Sequence, residues 1–258
     1  MLYKQLQFTT GWFGRLMFKF DSKIDIRFDD VIGYDAQKIK LRQAISKILN
    51  NQESKPKGII IKGPEGTRKT FMAKVFIGEA QMPYMIISGG EVRSATDIKK
   101  IFSVARLKKS CIIFFDEFDA IGANRSLDNE VGEARRILNS FLQFIEQDDS
   151  NSIIIAATNN HRLLDQALFR RFDDVIHYAM PKDDEIRAIF EKKLVKKYYT
   201  GNINTSLIDA AKGLSQSEII SACDDCFKSA ILYNKQFNEA DLIAVMKDKG
   251  LYSRIMEA

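Results

Sequence analysis

Through residue 180 the chain alternates between two rhythms of apolar and polar positions. Gly58 to Lys62, Tyr84 to Ser88, Cys111 to Asp116, Ser152 to Ala157 and Asp174 to Tyr178 are short and mostly apolar throughout. Runs of this length, rich in β-branched and aromatic residues, predict strands buried on both faces. Between them Ile98, Ile101, Phe102 and Ala105 recur at helical spacing, as do Val131, Ala134, Ile137, Leu138, Phe141, Leu142 and Ile145. Strand and helix in alternation predict a parallel sheet wrapped by helices. After Pro181 the strands stop, and 183–197, 217–233 and 239–247 predict the helices of a smaller all-helical domain. Ser215, followed three residues later by Glu218, predicts a capping box at the start of its middle helix. The basic run Lys192, Lys193, Lys196 and Lys197 falls opposite Ile189, Phe190 and Leu194, which predicts a solvated face.

Composition narrows the class. With 258 residues, 45% apolar and 28% charged, and only 4 Pro and 14 Gly, the chain is neither disordered nor fibrous. Its net charge is 39 − 34 = +5, and Lys4, Arg15 and Lys19 supply three of those charges. The remaining body is nearly neutral, unlike a dedicated nucleic-acid binder. Three cysteines cannot form a disulfide framework, so a reducing, cytoplasmic setting is expected. Cys223 and Cys226 form a C-x-x-C, but they share helical spacing with Ile219, Phe227 and Ala230 and read as core. A zinc site is disfavoured, because the only histidines, His161 and His177, are remote in sequence. No stretch reaches the eighteen or so consecutive apolar residues of a membrane span. Trp12, Phe13, Leu16, Met17, Phe18 and Phe20 sit among basic residues, which reads as an arm packed on the domain. Its alternatives are a membrane-surface or organelle-targeting segment.

Candidate chemistry gathers at three strand ends. Directly after the first strand comes Gly63-Pro64-Glu65-Gly66-Thr67-Arg68-Lys69-Thr70, leading into a helix through Phe71. A glycine-rich turn between strand and helix aims backbone N–H groups and the positive helix end at a phosphate chain, with lysine and threonine reaching the terminal phosphates and magnesium. The loop departs from G-x-x-x-x-G-K-[ST] only where Arg68 replaces the last glycine. Next, Cys111 to Glu117 is a buried strand ending in adjacent carboxylates. In a phosphate-binding protein Asp116 would hold the metal and Glu117 would polarise the attacking water. Third, Ile153 to Asn159 ends in an amide at the carboxyl end of a buried strand, where open α/β sheets place their sites. Asn159 is a candidate to orient that water.

In this order these elements resemble the AAA+ superfamily, in its AAA branch of protein-remodelling ATPases and the motor portion of membrane-anchored AAA proteases. The resemblance runs from about Phe28 to the C-terminus. Besides the elements above it takes in Phe28 to Gly33, then Leu164 to Asp173, and Gly213-Leu214-Ser215 at the start of a lid helix. It implies a P-loop NTPase with a doubly wound parallel sheet in the strand order 5-1-4-3-2. The implied cofactors are ATP and magnesium. Ile32 and Gly33 would lie near adenine, Glu65, Gly66, Thr67, Arg68, Lys69, Thr70 and Phe71 would contact the nucleotide, and Thr70 with Asp116 would hold the metal. Arg170 and Arg171 would act as arginine fingers on a neighbouring subunit's ATP.

Three departures qualify the resemblance. A glycine before the P-loop lysine is expected to be left-handed, and Arg68 there costs about 1 to 2 kcal/mol. Threading relatives carry a longer, aromatic loop where this chain has Val92 to Asp97, so the usual substrate grip is not carried over. The H-E-x-x-H of the protease relatives is absent from these residues, so no peptidase is expected of them. The expected organisation is an arm over 1–27, a nucleotide-binding domain over 28–181 and a helical lid over 182–258. The expected function is a magnesium-dependent ATPase that works as a hexameric ring on a protein partner. The alternatives are a weakly hydrolysing or non-hydrolysing adaptor subunit and, less favoured, a DNA-transaction loader.

Overall fold

A computed structural model describes residues 24–108, 110–121, 128–147, 150–160 and 166–257. Residues 1–23 of the expected N-terminal arm and the segment from His161 to Asp165 lie outside them. The chain divides into two compact units. Among the described residues, the first holds 24–28, 36–63 and 69–177, and the second holds 29–35, 64–68 and 178–257.

The first unit is built on β1 (Gly58–Lys62), β2 (Tyr84–Ser88), β3 (Ile112–Asp116), β4 (Ile153–Thr158) and β5 (Asp174–His177). These strands are parallel in the order β2-β3-β4-β1-β5, the order that the resemblance implied. Helix α1 (Asp35–Leu49) precedes β1, and α2 (Lys69–Ala80), α3 (Ala95–Lys108), α4 (Asp128–Gln147) and the single turn α5 (Gln166–Phe169) connect the strands. Every residue of β4 is buried, as are the apolar residues of β1 and β3, because helices cover both faces. The fifth strand differs from expectation: only Ile176 is buried, since β5 is an edge strand with one neighbour. One side of the sheet is packed with rings. Phe141 of α4 meets Phe102 edge-on at 5.9 Å, Phe115 at 5.2 Å, Phe118 at 5.0 Å and Phe172 at 6.3 Å.

The second unit is helical, with α6 (Asp183–Lys193), α7 (Thr205–Ala211), α8 (Gln216–Tyr233) and α9 (Glu239–Glu257). The capping box forms as expected. Ser215 Oγ accepts from the Glu218 N–H at 3.3 Å, and Glu218 Oε2 accepts from the Ser215 N–H at 2.6 Å. Asn234 ends α8 in the left-handed region (φ 49°), which an asparagine tolerates better than most residues. Cys223 and Cys226 are buried in this unit's core, and burial pushes their thiols up to about 12 and about 11.

The basic run is exposed at Lys192, Lys196 and Lys197, as expected, but it is not all helical. Helix α6 stops at Lys193, because the chain turns so that Tyr199 can bridge Phe237 in extended pairing. Lys192 and Lys193 are engaged rather than merely solvated. Lys192 Nζ donates to the carbonyls of Asp29 and Asp30 at 3.2 and 3.3 Å, and Lys193 pairs with Asp224 at 2.8 Å.

Phe141 touches four other rings and is 1% exposed, so Phe141→Ala leaves a cavity that its neighbours cannot fill. The expected loss is about 3 to 5 kcal/mol, read from the shift of the urea unfolding midpoint with the slope unchanged.

Candidate functional site

In the sheet unit, the polar residues that terminate the apolar strands lie at one edge. The parallel register pairs Lys62 with Thr158 and Ser88 with Asp116. Lys69 begins α2, is 6% exposed, and its Nζ donates to the Gly63 carbonyl at 2.8 Å. Thr70 Oγ1 donates to Asp116 Oδ1 at 2.9 Å, and the Glu117 N–H donates to the same oxygen at 3.1 Å. The fold thus brings together the hydroxyl and the carboxylate that the sequence nominated as metal ligands. Both are hard oxygen donors, the chemistry that magnesium prefers.

Glu117 is exposed and sits in the left-handed region at φ 49°, ψ 50°. That turn is wedged against Gly89, because a Cβ on Gly89 would fall on the Glu117 carbonyl oxygen. Asn159 is exposed just past β4, and its N–H donates to Asp119 Oδ1 at 3.2 Å. Gly89 and Asp119 escape a motif search. Their signals are a glycine immediately after a buried strand and a carboxylate two residues past the acidic pair.

Arg170 and Arg171 follow α5 and are both exposed. Their side chains are used differently. Arg171 pairs with Glu146 of α4 at 2.5 Å, whereas Arg170 makes no ion pair among the described residues. Where an aromatic loop was found wanting, the structure has a tight turn. Val92 is buried, and buried Asp97 accepts from the N–H groups of Arg93 and Ser94, both at 3.0 Å.

The loop residues 64–68 belong with the helical unit. Gly66 has φ +71°, and a Cβ there would collide with Ser215, the cap of α8. The Gly66 carbonyl accepts from the Ser217 N–H at 3.1 Å, and Thr67 Oγ1 donates to the Pro64 carbonyl at 2.7 Å. Glu65 is exposed, while Phe71, in the sheet unit, is half-buried. Arg68 adopts φ +63°, the left-handed conformation expected at this position. Burial lowers its guanidinium pKa, against the opposing influence of Tyr34 and Asp224 in the same unit. Ile32 and Gly33 also lie in this unit. The Ile32 carbonyl accepts from Gln216 Nε2 at 3.2 Å, and Gly33 (φ +68°) leads into the Tyr34 N–H, which donates to Glu185 Oε1 at 3.0 Å.

Residues 59–180 match the model of the ATPase family associated with various cellular activities (AAA). Over 247 residues the chain is 31% identical to the ATP-dependent zinc metalloprotease FtsH 1 of Methylacidiphilum infernorum, covering 88% of this chain and 39% of that relative. It is 31% identical over 252 residues to the proteasome-activating nucleotidase of Sulfurisphaera tokodaii, covering 89% and 64%. An uncharacterised AAA family ATPase of Sinorhizobium fredii is 35% identical over 197 residues, covering 73% and 58%. The chain therefore spans less than two thirds of the length of each of these relatives.

The left-handed backbone at Arg68 can be read in stability alone. Arg68→Gly and Arg68→Ala both delete the guanidinium, but only alanine keeps a Cβ at φ +63°. The glycine variant should be the more stable by about 1 kcal/mol, against the usual order of these residues, as judged by urea unfolding of the two side by side.

Proposed function

Since the chain belongs to the AAA family of ATPases, we propose that it binds ATP with magnesium and hydrolyses it within a ring of like subunits, to remodel a protein partner. The observation that carries this reading is the meeting of Thr70 and Asp116 at 2.9 Å beside the buried Lys69 and the exposed Glu117. A loop lysine, a metal-binding pair and a carboxylate open to water are the parts that phosphoanhydride hydrolysis requires.

In this reading Lys69 places its ammonium on the β and γ phosphates, in exchange for the Gly63 carbonyl that it now contacts. Magnesium, when bound, neutralises charge that develops on the phosphates, and Thr70 and Asp116 supply the protein oxygens that hold it. Glu117 accepts a hydrogen bond from the attacking water and raises its nucleophilicity. Asn159 orients the same water or the γ-phosphate. Ile32, Gly33, Glu65, Gly66, Thr67, Arg68 and Phe71 are the further nucleotide contacts. Residues 28–181 form the nucleotide-binding domain, with 182–258 as its lid. The near-neutral body and the likeness to protein-remodelling relatives favour a protein partner over nucleic acid, and no described helix is long and apolar enough to cross a membrane. A competent residue at each of these positions favours a working ATPase over a binding-only subunit.

Two variants test the site. Lys69→Ala should abolish binding of a fluorescent ATP analogue, whereas Glu117→Gln should bind it normally and lose turnover, because an amide cannot polarise water as a carboxylate does. Unchanged affinity in Lys69→Ala would remove the phosphate site from this loop, and full turnover in Glu117→Gln would remove the glutamate from the mechanism.

The arginines make a second test. Arg170 is the finger that we assign to the neighbour's ATP, because Arg171 is held by Glu146. Arg170→Ala should bind ATP normally yet hydrolyse it about 10³-fold more slowly, with Arg171→Ala less affected. Mixing Arg170→Ala with Glu117→Gln should restore part of the activity, since some interfaces then join an intact glutamate to an intact finger. Mixed rings that stay inactive would exclude action in trans.

A further inference from the structure

One side chain in the sheet unit ties together two strand ends that the reaction must coordinate. Asp119 lies in the short 3-10 turn Phe118–Ala120 that follows Glu117. Its Oδ1 accepts from Thr158 Oγ1 at 2.7 Å and from the Asn159 N–H at 3.2 Å. Thr158 Oγ1 in turn accepts from the Asn160 N–H at 3.2 Å. Thr158 is only 1% exposed, so its hydroxyl depends on a protein acceptor, and a buried hydroxyl without one is costly. A carboxylate is a strong acceptor for two converging donors.

The turn that carries Asp119 has little freedom. The Phe118 ring is 1% exposed and packs on Phe115 at 5.9 Å and Phe141 at 5.0 Å. The Ala120 N–H closes back on the Glu117 carbonyl at 2.8 Å, and the tight approach of Gly89 blocks that carbonyl from moving towards β2. Three consecutive residues therefore face three ways: Glu117 to solvent, Phe118 into the core, Asp119 to the end of β4.

From this geometry we infer that Asp119 is a positioning residue, which fixes Asn159 relative to Glu117 so that both address one water. The inference rests on the hydrolytic reading above. Asp119 touches no reacting atom; it acts through the Asn159 backbone and the Thr158 hydroxyl. Asn in its place keeps an amide oxygen for both donors, whereas Ala keeps neither contact.

The test compares wild type, Asp119→Ala, Asp119→Asn, Thr158→Val and Glu117→Gln as assembled full chains. Asp119→Ala should lower kcat about tenfold or more, with the Kd for a fluorescent ATP analogue within about twofold of wild type. Asp119→Asn should retain most of kcat, and Thr158→Val should show part of the loss. Independently of turnover, hydrogen exchange at the Asn159 backbone amide should be slow in wild type and Asp119→Asn, and at least about tenfold faster in Asp119→Ala. Wild-type turnover no higher than that of Glu117→Gln would defeat the hydrolytic reading, leaving the exchange rates to judge the linkage. Wild-type kcat in Asp119→Ala, or unchanged exchange at Asn159, would overturn the positioning role. So would an equal loss in Asp119→Asn, which would assign the effect to charge, or a loss of kcat matched by weaker nucleotide binding.

Discussion

Everything in the sheet unit depends on where burial ends. Each inner strand is apolar until the helices no longer cover it, and there polar groups are hydrated or, like the buried Thr158, meet a protein acceptor. Because the strands are parallel and in register, this limit falls at nearly the same level in all of them, so Lys62, Ser88, Asp116 and Thr158 stand side by side. The site is the polar margin of an apolar sheet. Its chemistry follows from which residues were placed at that margin, and its geometry from strand spacing together with the turns just past the strand ends.

The residues just past the margin are held by shape more than by attraction. Gly89 admits the Glu117 carbonyl because it has no Cβ, and Gly66 admits Ser215 for the same reason. Phe118, anchored among rings, keeps the turn after Glu117 from swinging. Arg68 is the exception in this loop, since it holds a left-handed backbone while carrying a full side chain. That strain is small beside the packing around it, which is why the loop can keep its form with an arginine where glycine would be easier.

The sheet was legible from the sequence because its inner strands are continuous apolar runs, a pattern that few other structures produce. Strand order was legible only through the resemblance. Helix α1 was not foreseen, although its buried Leu41, Ala44, Ile45 and Ile48 repeat the spacing of Ile98, Ile101, Phe102 and Ala105, because lysines and arginine dilute that signal. Helix α7 is seven residues long, too short for periodicity to show, and is set by Asn204, whose side chain accepts from the Leu207 N–H at 2.9 Å. In the candidate site, the pairing of Thr70 with Asp116 follows from motifs whose chemistry demands it. Asp119 and Gly89 were hidden because they act on neighbours through contact, and a contact between residues far apart in sequence leaves no local signature.

The cysteines have a practical consequence. The chain has three, and Cys111, Cys223 and Cys226 are all buried, Cys111 with its sulfur 3.4 Å from Ser152 Oγ. Burial keeps Cys223 and Cys226 as protonated thiols at neutral pH, and thiol reagents attack the thiolate. A cysteine introduced on the surface is then the one that a maleimide dye or a spin label modifies, with no need to strip the native ones. A label on α3 then reports on the sheet unit, and one on α8, in a separate variant, on the helical unit.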